Sequence, residues 1–330
     1  MSLPATGDAD QIPLAARLET GPQLFAPDEA RRRVADWLAD LPSEQSRALQ
    51  DAMARHSYAK AIIEGVAEAS PYLFDLMRAD AARFIRLLES DPEIRLAALI
   101  AEAEEGVNAA ADEADVMQRL RRMKAEAALL IALCDIGGVW PVMRVTKALT
   151  DVAVTAVQCA VRYLLAQEAE RGRLLPSDPK RPEAGSGLIV LAMGKMGAGE
   201  LNYSSDVDLI VFYDPDVARL AEDVEPSPFF VKIGQGIARL LQQRTGDGYV
   251  FRVDLRLRPD PASTPVAISV AAALNYYERE GRTWERAAMI KALPCAGDLA
   301  AGNALLSEIA PFVWRKHLDF AALTDVHDMK

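Results

Sequence analysis

Several things are scarce in this chain of 330 residues, and each scarcity excludes a class of function. Positive charge is in deficit: 37 Lys and Arg stand against 48 Asp and Glu, for a net charge of −11. Tracking a nucleic-acid backbone needs Lys and Arg on phosphates, so a duplex-binding protein or a nucleic-acid polymerase is disfavoured. A nucleotide site is not, because it needs only a few local cations and a metal. The three cysteines, Cys134, Cys159 and Cys295, lie far apart without CxxC spacing. They form neither a zinc site nor a disulfide framework, and Cys134 and Cys159 read as small core residues. The three histidines, His56, His317 and His327, are equally scattered, which disfavours a histidine metal site or a Ser-His-Asp triad. No run of about 18 apolar residues is present, so no membrane span is expected. The N-terminus has no basic stretch followed by an apolar core, so it does not read as a secretory signal, and a cytoplasmic location is expected. Before residue 187 there is almost no strand signal.

What is present is helical periodicity. Residues 1–25 are polar and rich in Pro and Gly, and a loosely packed start is expected there. In APDEARRRVADWLADLP, Val34, Trp37, Leu38 and Leu41 share one face, with Pro27 and Asp28 at the start and Pro42 as the stop. SPYLFDLMRADAARFIRLLESDP reads as one or two more helices. A long helix ends at Gly137-Gly138, and another covers VTKALTDVAVTAVQCAVRYLLAQEAERG. Residues 26–172 thus read as a helical domain, a bundle. The stretch GRLLPSDPKRPEAGSG breaks the pattern, and a second domain is expected over 173–330. Its strands are LIVLAM (188–193), VDLIVFY (207–213) and the alternating YVFRVDLRLR, with helices over 226–244, 269–281 and about 298–309. The expected class is α+β, multidomain and mostly helical, with a small mixed sheet and flanking helices.

Chemistry gathers in 194-GKMGAGELNYSSDVDLIVFYD-214 and 249-YVFRVDLRLRPD-260. Asp206 and Asp208 are spaced i, i+2 at the head of an apolar strand, so their side chains share a face. Asp254 lies on a later strand, with Arg252, Arg256 and Arg258 on its face. Like charges held together raise each other's proton affinity, and a divalent cation removes that penalty. Mg²⁺ prefers hard oxygen ligands, and two such ions about 3.5–4 Å apart clamp an in-line phosphoryl displacement. The glycine turn lets main-chain amides approach phosphate. Arg256 and Arg258 are candidates to neutralise charge on phosphorus oxygens. The turn is neither a Walker A loop nor GxGxxG.

The order glycine turn, about ten residues, DxD before an apolar strand, then a third carboxylate resembles the DNA polymerase β-type nucleotidyltransferase superfamily. Lys195 departs from the small residue usual after Gly194. GKMGAGELNYSSDVDLIVFYD, FRVDLRLRPD and TWERAAMIKALPCAGD together resemble the bifunctional glutamine synthetase adenylyltransferase/adenylyl-removing family, where Lys at that place is usual. The resemblance runs over about residues 120–330; the first hundred match only in helical character. It implies a polymerase β-like core and an N-terminal fragment carrying the AMP-removing unit, with the tail from Trp314 leading into further helices. The implied reaction is phosphorolysis: phosphate attacks adenylyl-tyrosine on glutamine synthetase and yields ADP and tyrosine. The implied metal ligands are Asp206, Asp208 and Asp254, holding Mg²⁺ (two ions) or alternatively Mn²⁺, with phosphate and ADP or ATP as substrate or product. Gly194, Lys195, Ser204, Ser205, Arg256 and Arg258 are the implied phosphate or nucleotide contacts. Glu285, Arg286 and Lys291 are further candidates, weighed against a surface ion-pair face. Glutamine synthetase is the implied partner and a PII signalling protein the implied regulator. The competing readings are the AMP-adding unit, a uridylyltransferase, or a docking module for glutamine synthetase or PII.

Overall fold

The computed structural model describes residues 11–314. They form two compact units, 11–102 with 122–148 and 103–121 with 149–314. The histidines His317 and His327 and the expected tail helices lie outside the described residues, as does the start of the segment expected to be loose.

The first unit is helical. It holds α1 (Leu14–Arg17), α2 (Pro27–Asp40), α3 (Ser43–Arg55), α4 (Ser57–Ala69), α5 (Pro71–Ala79) and α6 (Ala81–Glu89). Local chemistry explains the boundaries. Pro27 and Pro71 stand in the first turns of α2 and α5, where a missing N–H costs nothing. Ser70 and Asp80 cap α5 and α6 by accepting from the Leu73 and Arg83 amides. Leu41 before Pro42 is extended, which ends α2. The core gathers around Trp37, which meets Phe74 edge-on at 5.6 Å and Phe84 at 6.2 Å, with Leu49, Ile62, Met77 and Leu87 buried beside them. Each such side chain contributes roughly 1.5–3 kcal/mol by leaving water. The segment from residue 11 to 25 is not loose. Leu14 is fully buried, its amide donates to Ser90 O at 2.8 Å, and Arg17 pairs with Glu93.

Three long helices, α7 (Pro92–Asn108), α8 (Glu113–Ile136) and α9 (Val142–Glu170), contribute residues to both units. α8 ends as expected. Gly138 takes φ +70°, and Val139 N donates back to Cys134 O at 2.8 Å. The units therefore divide within helices, not at the Pro- and Gly-rich stretch near residue 172. That stretch ends a helix, but the last three quarters of α9, from Leu149 on, already belong with the sheet. Thr150 accepts from the Leu201 amide at 3.1 Å, and Gln158 donates to Cys295 O at 2.9 Å. α9 is the one helix among the described residues long and apolar enough to cross a membrane by length and composition, and most of its apolar window is buried within the protein.

The second unit carries β1 (Leu188–Ala192), a helical turn α10 (Gly194–Gly197), β2 (Val207–Tyr213), α11 (Pro226–Gln242), β3 (Val253–Asp254), β4 (Ala267–Ser269), α12 (Val270–Arg279), α13 (Thr283–Met289), β5 (Leu293–Gly297) and α14 (Leu299–Val313). β1 lies between β2 and β5, antiparallel to both. The far edge of β2 takes β3 at its N-terminal end and β4 at its C-terminal end, both parallel. The sheet is small and mixed, and the class is α+β, as expected. β1 is buried on both faces, which is why it reads as an unbroken apolar run. One face packs Ile189, Leu191, Ile210 and Phe212 against Tyr277, Met289, Leu305, Ile309 and Phe312 of α12, α13 and α14. From α11, Phe230 stacks on Tyr213 at 4.8 Å.

Two expectations need correction. The alternating run 249–258 is a strand only at Val253 and Asp254. Asp254 Oδ1 accepts the Arg256 amide at 2.8 Å, an Asx turn that removes that N–H from any ladder and bends the chain away. The strands β4 and β5 were not foreseen. β4 is short, and β5 contains Pro294, tolerated because among the described residues β5 is an edge strand paired with β1 alone.

Candidate active site

The site is built where β1 turns back into β2. Gly194 takes φ +54°, and an ideal Cβ there would lie 3.2 Å from Asp208 Oδ2. Gly197 is also required, because a Cβ would strike Lys291 O and Ala192 O. The expected glycine loop is thus one helical turn, and its first glycine lies against the second aspartate. The Met193 amide donates to Asp208 O at 2.9 Å and fixes the turn to the strand.

β2 and β3 then bring the carboxylates together. Their parallel register sets Val207 opposite Val253 and Asp208 opposite Asp254. Asp206 stands just before β2, and the next amide, Val207 N, donates to Arg252 O at 2.9 Å. Burial pushes the Asp208 carboxyl above its ordinary value, and the negative charges of Asp254 and Asp206 push it the same way. Asp254 moves oppositely, because hydrogen bonds from Arg256 hold it below the usual carboxylate range. Among the described residues no hydrogen-bond donor meets the Asp208 side chain.

Two arginines complete the cluster. Arg256 Nε lies 3.0 and 2.9 Å from the two Asp254 oxygens. Arg252 donates from Nε to Asp206 Oδ1 at 2.5 Å and from Nη2 to Ser204 O at 2.9 Å. Arg252 shares the alternating face with Asp254 but is absent from the candidates read from sequence. Its position two residues before Asp254 was the available signal.

The remaining candidates divide. Lys195 is exposed at the site and donates to Asn202 Oδ1 at 3.4 Å, and Ser205 bonds the same oxygen. Ser204 takes φ +58°, a left-handed turn position. Arg258 turns away from the carboxylates and donates to the carbonyls of Leu255, Pro261 and Thr264. Glu285 and Arg286 are not a surface ion-pair face. Both are buried; Glu285 accepts from Arg282 N and Tyr276 Oη, and Arg286 Nε donates to Phe312 O at 3.0 Å. Lys291 is exposed and pairs with Glu200 at 3.0 Å. Trp314 is 65% exposed.

The donor set fits a hard divalent cation. It consists of three carboxylates, one of them unpartnered and carrying repulsion from the other two. Among the described residues no group of three His, Cys, Asp or Glu side chains is already arranged as a metal cage, since Arg252 and Arg256 engage the flanking carboxylates.

A family model described as glutamate-ammonia ligase adenylyltransferase matches residues 59–308. The chain belongs to this family. The match begins well before residue 120, where the motif resemblance starts, so membership of the glutamate-ammonia ligase adenylyltransferase family takes in α4, α5 and α6 of the first unit. Among relatives, a bifunctional glutamine synthetase adenylyltransferase/adenylyl-removing enzyme of Rhodopseudomonas palustris (strain BisB5) is 67% identical over 98% of this chain and 33% of its own length. The protein of that name from Bradyrhizobium diazoefficiens is 68% identical over 100% of the chain and 33% of its own length. That from Xanthobacter autotrophicus is 53% identical over 98% and 32%. The chain thus spans about a third of the length of the curated relatives it matches. Similarity over nearly the whole chain also corrects the view that the first hundred residues match only in helical character.

Proposed function

We propose that this chain carries the AMP-removing activity of its family: metal-dependent phosphorolysis of adenylyl-tyrosine on glutamine synthetase, giving ADP and free tyrosine. The observation that carries the chemistry is the in-register pairing of Asp208 with Asp254, with Asp206 beside them and the Gly194 turn behind. The names of the relatives support the protein substrate.

Asp206, Asp208 and Asp254 are the residues that would hold Mg²⁺ or Mn²⁺. When bound, the metal neutralises charge on the phosphoryl oxygens and on the attacking and leaving oxygens. The chain's own residues do the rest. Asp208 stays a carboxylate only at an electrostatic cost, which favours a cation beside it. Arg252, Arg256 and Lys195 are exposed cations around the carboxylates and suit phosphate oxygens. The polymerase β-like architecture is part of this proposal: a small mixed sheet presents the carboxylates at the start of β2, with helices behind. A docking module for glutamine synthetase or PII would not need three converging carboxylates, so PII enters only as a regulator.

The test is to incubate the protein with adenylylated glutamine synthetase, Mg²⁺ and inorganic phosphate, alongside Asp206→Asn. ADP from the parent and none from the variant is the expected outcome. AMP incorporation from ATP into unmodified synthetase, without ADP release in the first reaction, would reverse the assigned direction.

A further inference from the structure

The residues that follow Asp254 form a loop whose two ends are pinned in the sheet. It leaves β3 at Asp254 and enters β4 at Ala267, which pairs with Val211 of β2. Between these points the chain has no strand or helix to hold it. One side chain spans it. Arg258 Nη1 donates to Leu255 O at 2.7 Å, Nη2 to Pro261 O at 2.9 Å and Thr264 O at 3.1 Å, and Nε to Thr264 O at 3.3 Å. Among the described residues no carboxylate lies within ion-pair distance of it. A guanidinium is a rigid fork with donors in fixed directions, and here those directions are matched to three carbonyls across the loop. Thr264 closes the same loop, donating from Oγ1 to Pro259 O and Asp260 O at 2.6 and 2.8 Å.

Main-chain bonds close the loop further, since the Ser263 and Thr264 amides both donate to Asp260 O at 3.0 Å; outside the loop, Tyr276 Oη donates to the buried Glu285 carboxylate at 3.2 Å. Asp260 sits at φ +39°, so the loop is held in a conformation it would not favour alone. Glu285 in turn accepts the Arg282 amide in a capping box that starts α13. The buried part of the TWER stretch therefore faces the interior and not the surface.

We propose that Arg258 is a positioning residue. It folds the 255–264 loop so that Asp254 is held in register with Asp208 and Arg256 beside Asp254, and it does not itself bind the substrate phosphate. This rests on the reading of Asp254 as a metal-holding carboxylate. It separates two adjacent arginines of one motif into different jobs. Arg256 is exposed on the carboxylate, while Arg258 is partly buried among carbonyls. A lysine distinguishes the two jobs, because it can replace a point charge on phosphate but not a fork on three carbonyls.

The experiment measures Mn²⁺ binding to the 330-residue protein by electron paramagnetic resonance, and the KM for inorganic phosphate in ADP release. The variants are Arg258→Lys, Arg258→Ala, Thr264→Val and Asp254→Asn. Both Arg258 variants are expected to weaken Mn²⁺ binding by about tenfold or more, as loss of an outer partner of a metal ligand does. Lysine should give no rescue, kcat should fall, and the KM for phosphate should stay near the parent value. Thr264→Val should move the same readouts by a smaller factor, and it serves if an Arg258 variant does not fold. Recovery of activity by lysine with a raised phosphate KM in Arg258→Ala would overturn the proposal and make Arg258 a phosphate ligand. Unchanged Mn²⁺ affinity in all the loop variants, with Asp254→Asn impaired, would overturn it while leaving the reading of Asp254 intact. Unchanged affinity in Asp254→Asn itself would remove that reading and the proposal with it.

Discussion

Glu93 in the first unit and Asp208 in the second are partly buried carboxylates, and burial pushes both upward. They end on opposite sides of their ordinary values. Glu93 receives the Arg17 guanidinium and the Trp140 indole N–H, the latter at 2.7 Å, and these hydrogen bonds outweigh burial and bring it to about 2. Asp208 receives no donor from the described residues and faces Asp254 and Asp206, so it stays raised. The comparison separates a carboxylate that holds the fold from one that the fold tolerates. A satisfied ion pair is a structural element. An unsatisfied one, placed in a strand register that keeps it beside two more negative charges, is poised for a cation.

The largest expected effect is on Asp208. Asp208→Asn should reduce ADP release by on the order of a thousandfold, since a metal ligand supplies several kcal/mol of charge stabilisation and each 1.36 kcal/mol is about tenfold. The same variant should raise the Tm in EDTA at neutral pH. The sign follows from the raised carboxyl: its ionisation destabilises the fold as pH rises above the unfolded value, so the gain should vanish on acidification below about 4. A lower Tm for Asp208→Asn would break the comparison.

Glu93→Gln should act oppositely and more modestly, costing about 1 kcal/mol once solvent screening of a partly exposed pair is allowed for. A lowered carboxyl contributes stability above its unfolded value and loses it as pH falls toward the folded one. The parent's advantage over the variant should therefore disappear between pH about 4.5 and about 2. Denaturant unfolding at stepped pH checks this.

Gly194→Ala tests the turn. A left-handed position and a Cβ crowding Asp208 should cost about 1 kcal/mol and weaken Mn²⁺ binding. Unchanged binding would show that the turn does not set Asp208. The smallest effect is assigned to Lys291→Ala. Its pair with Glu200 is exposed, so unfolding should shift by less than about 0.5 kcal/mol. A raised KM for nucleotide in that variant would return Lys291 to the site.

Much of the site was legible because its signals are local. Asp206 and Asp208 are two apart before an apolar run, and β2 occupies Val207–Tyr213 as that run predicts. Gly194 was visible as a turn residue. Arg258 was not legible as a loop organiser, because alternation gives it and Arg256 the same face and says nothing of a chain that bends at Asp254. Glu285 and Arg286 read either as nucleotide contacts or as a surface ion-pair face, and neither reading put them in the interior, because charged residues are seldom buried. Their burial depends on α12 and α14, whose Tyr276 and Phe312 supply the partners. β4 and β5 were missed for a related reason. Short strands take their definition from the neighbour they pair with, and β5 carries a proline that argues against a strand.

By itself, the sequence determined the helical first part, the helix stops, the apolar strands β1 and β2 and the spacing of the first two aspartates. All of these are set by side-chain periodicity or by glycine and proline over a few residues. Tertiary structure decided which carboxylate faces Asp208, which arginine meets a carboxylate and which meets carbonyls, and where the two units divide. Those outcomes depend on pairing between residues far apart in the chain and on burial, and neither is encoded within a single turn or strand.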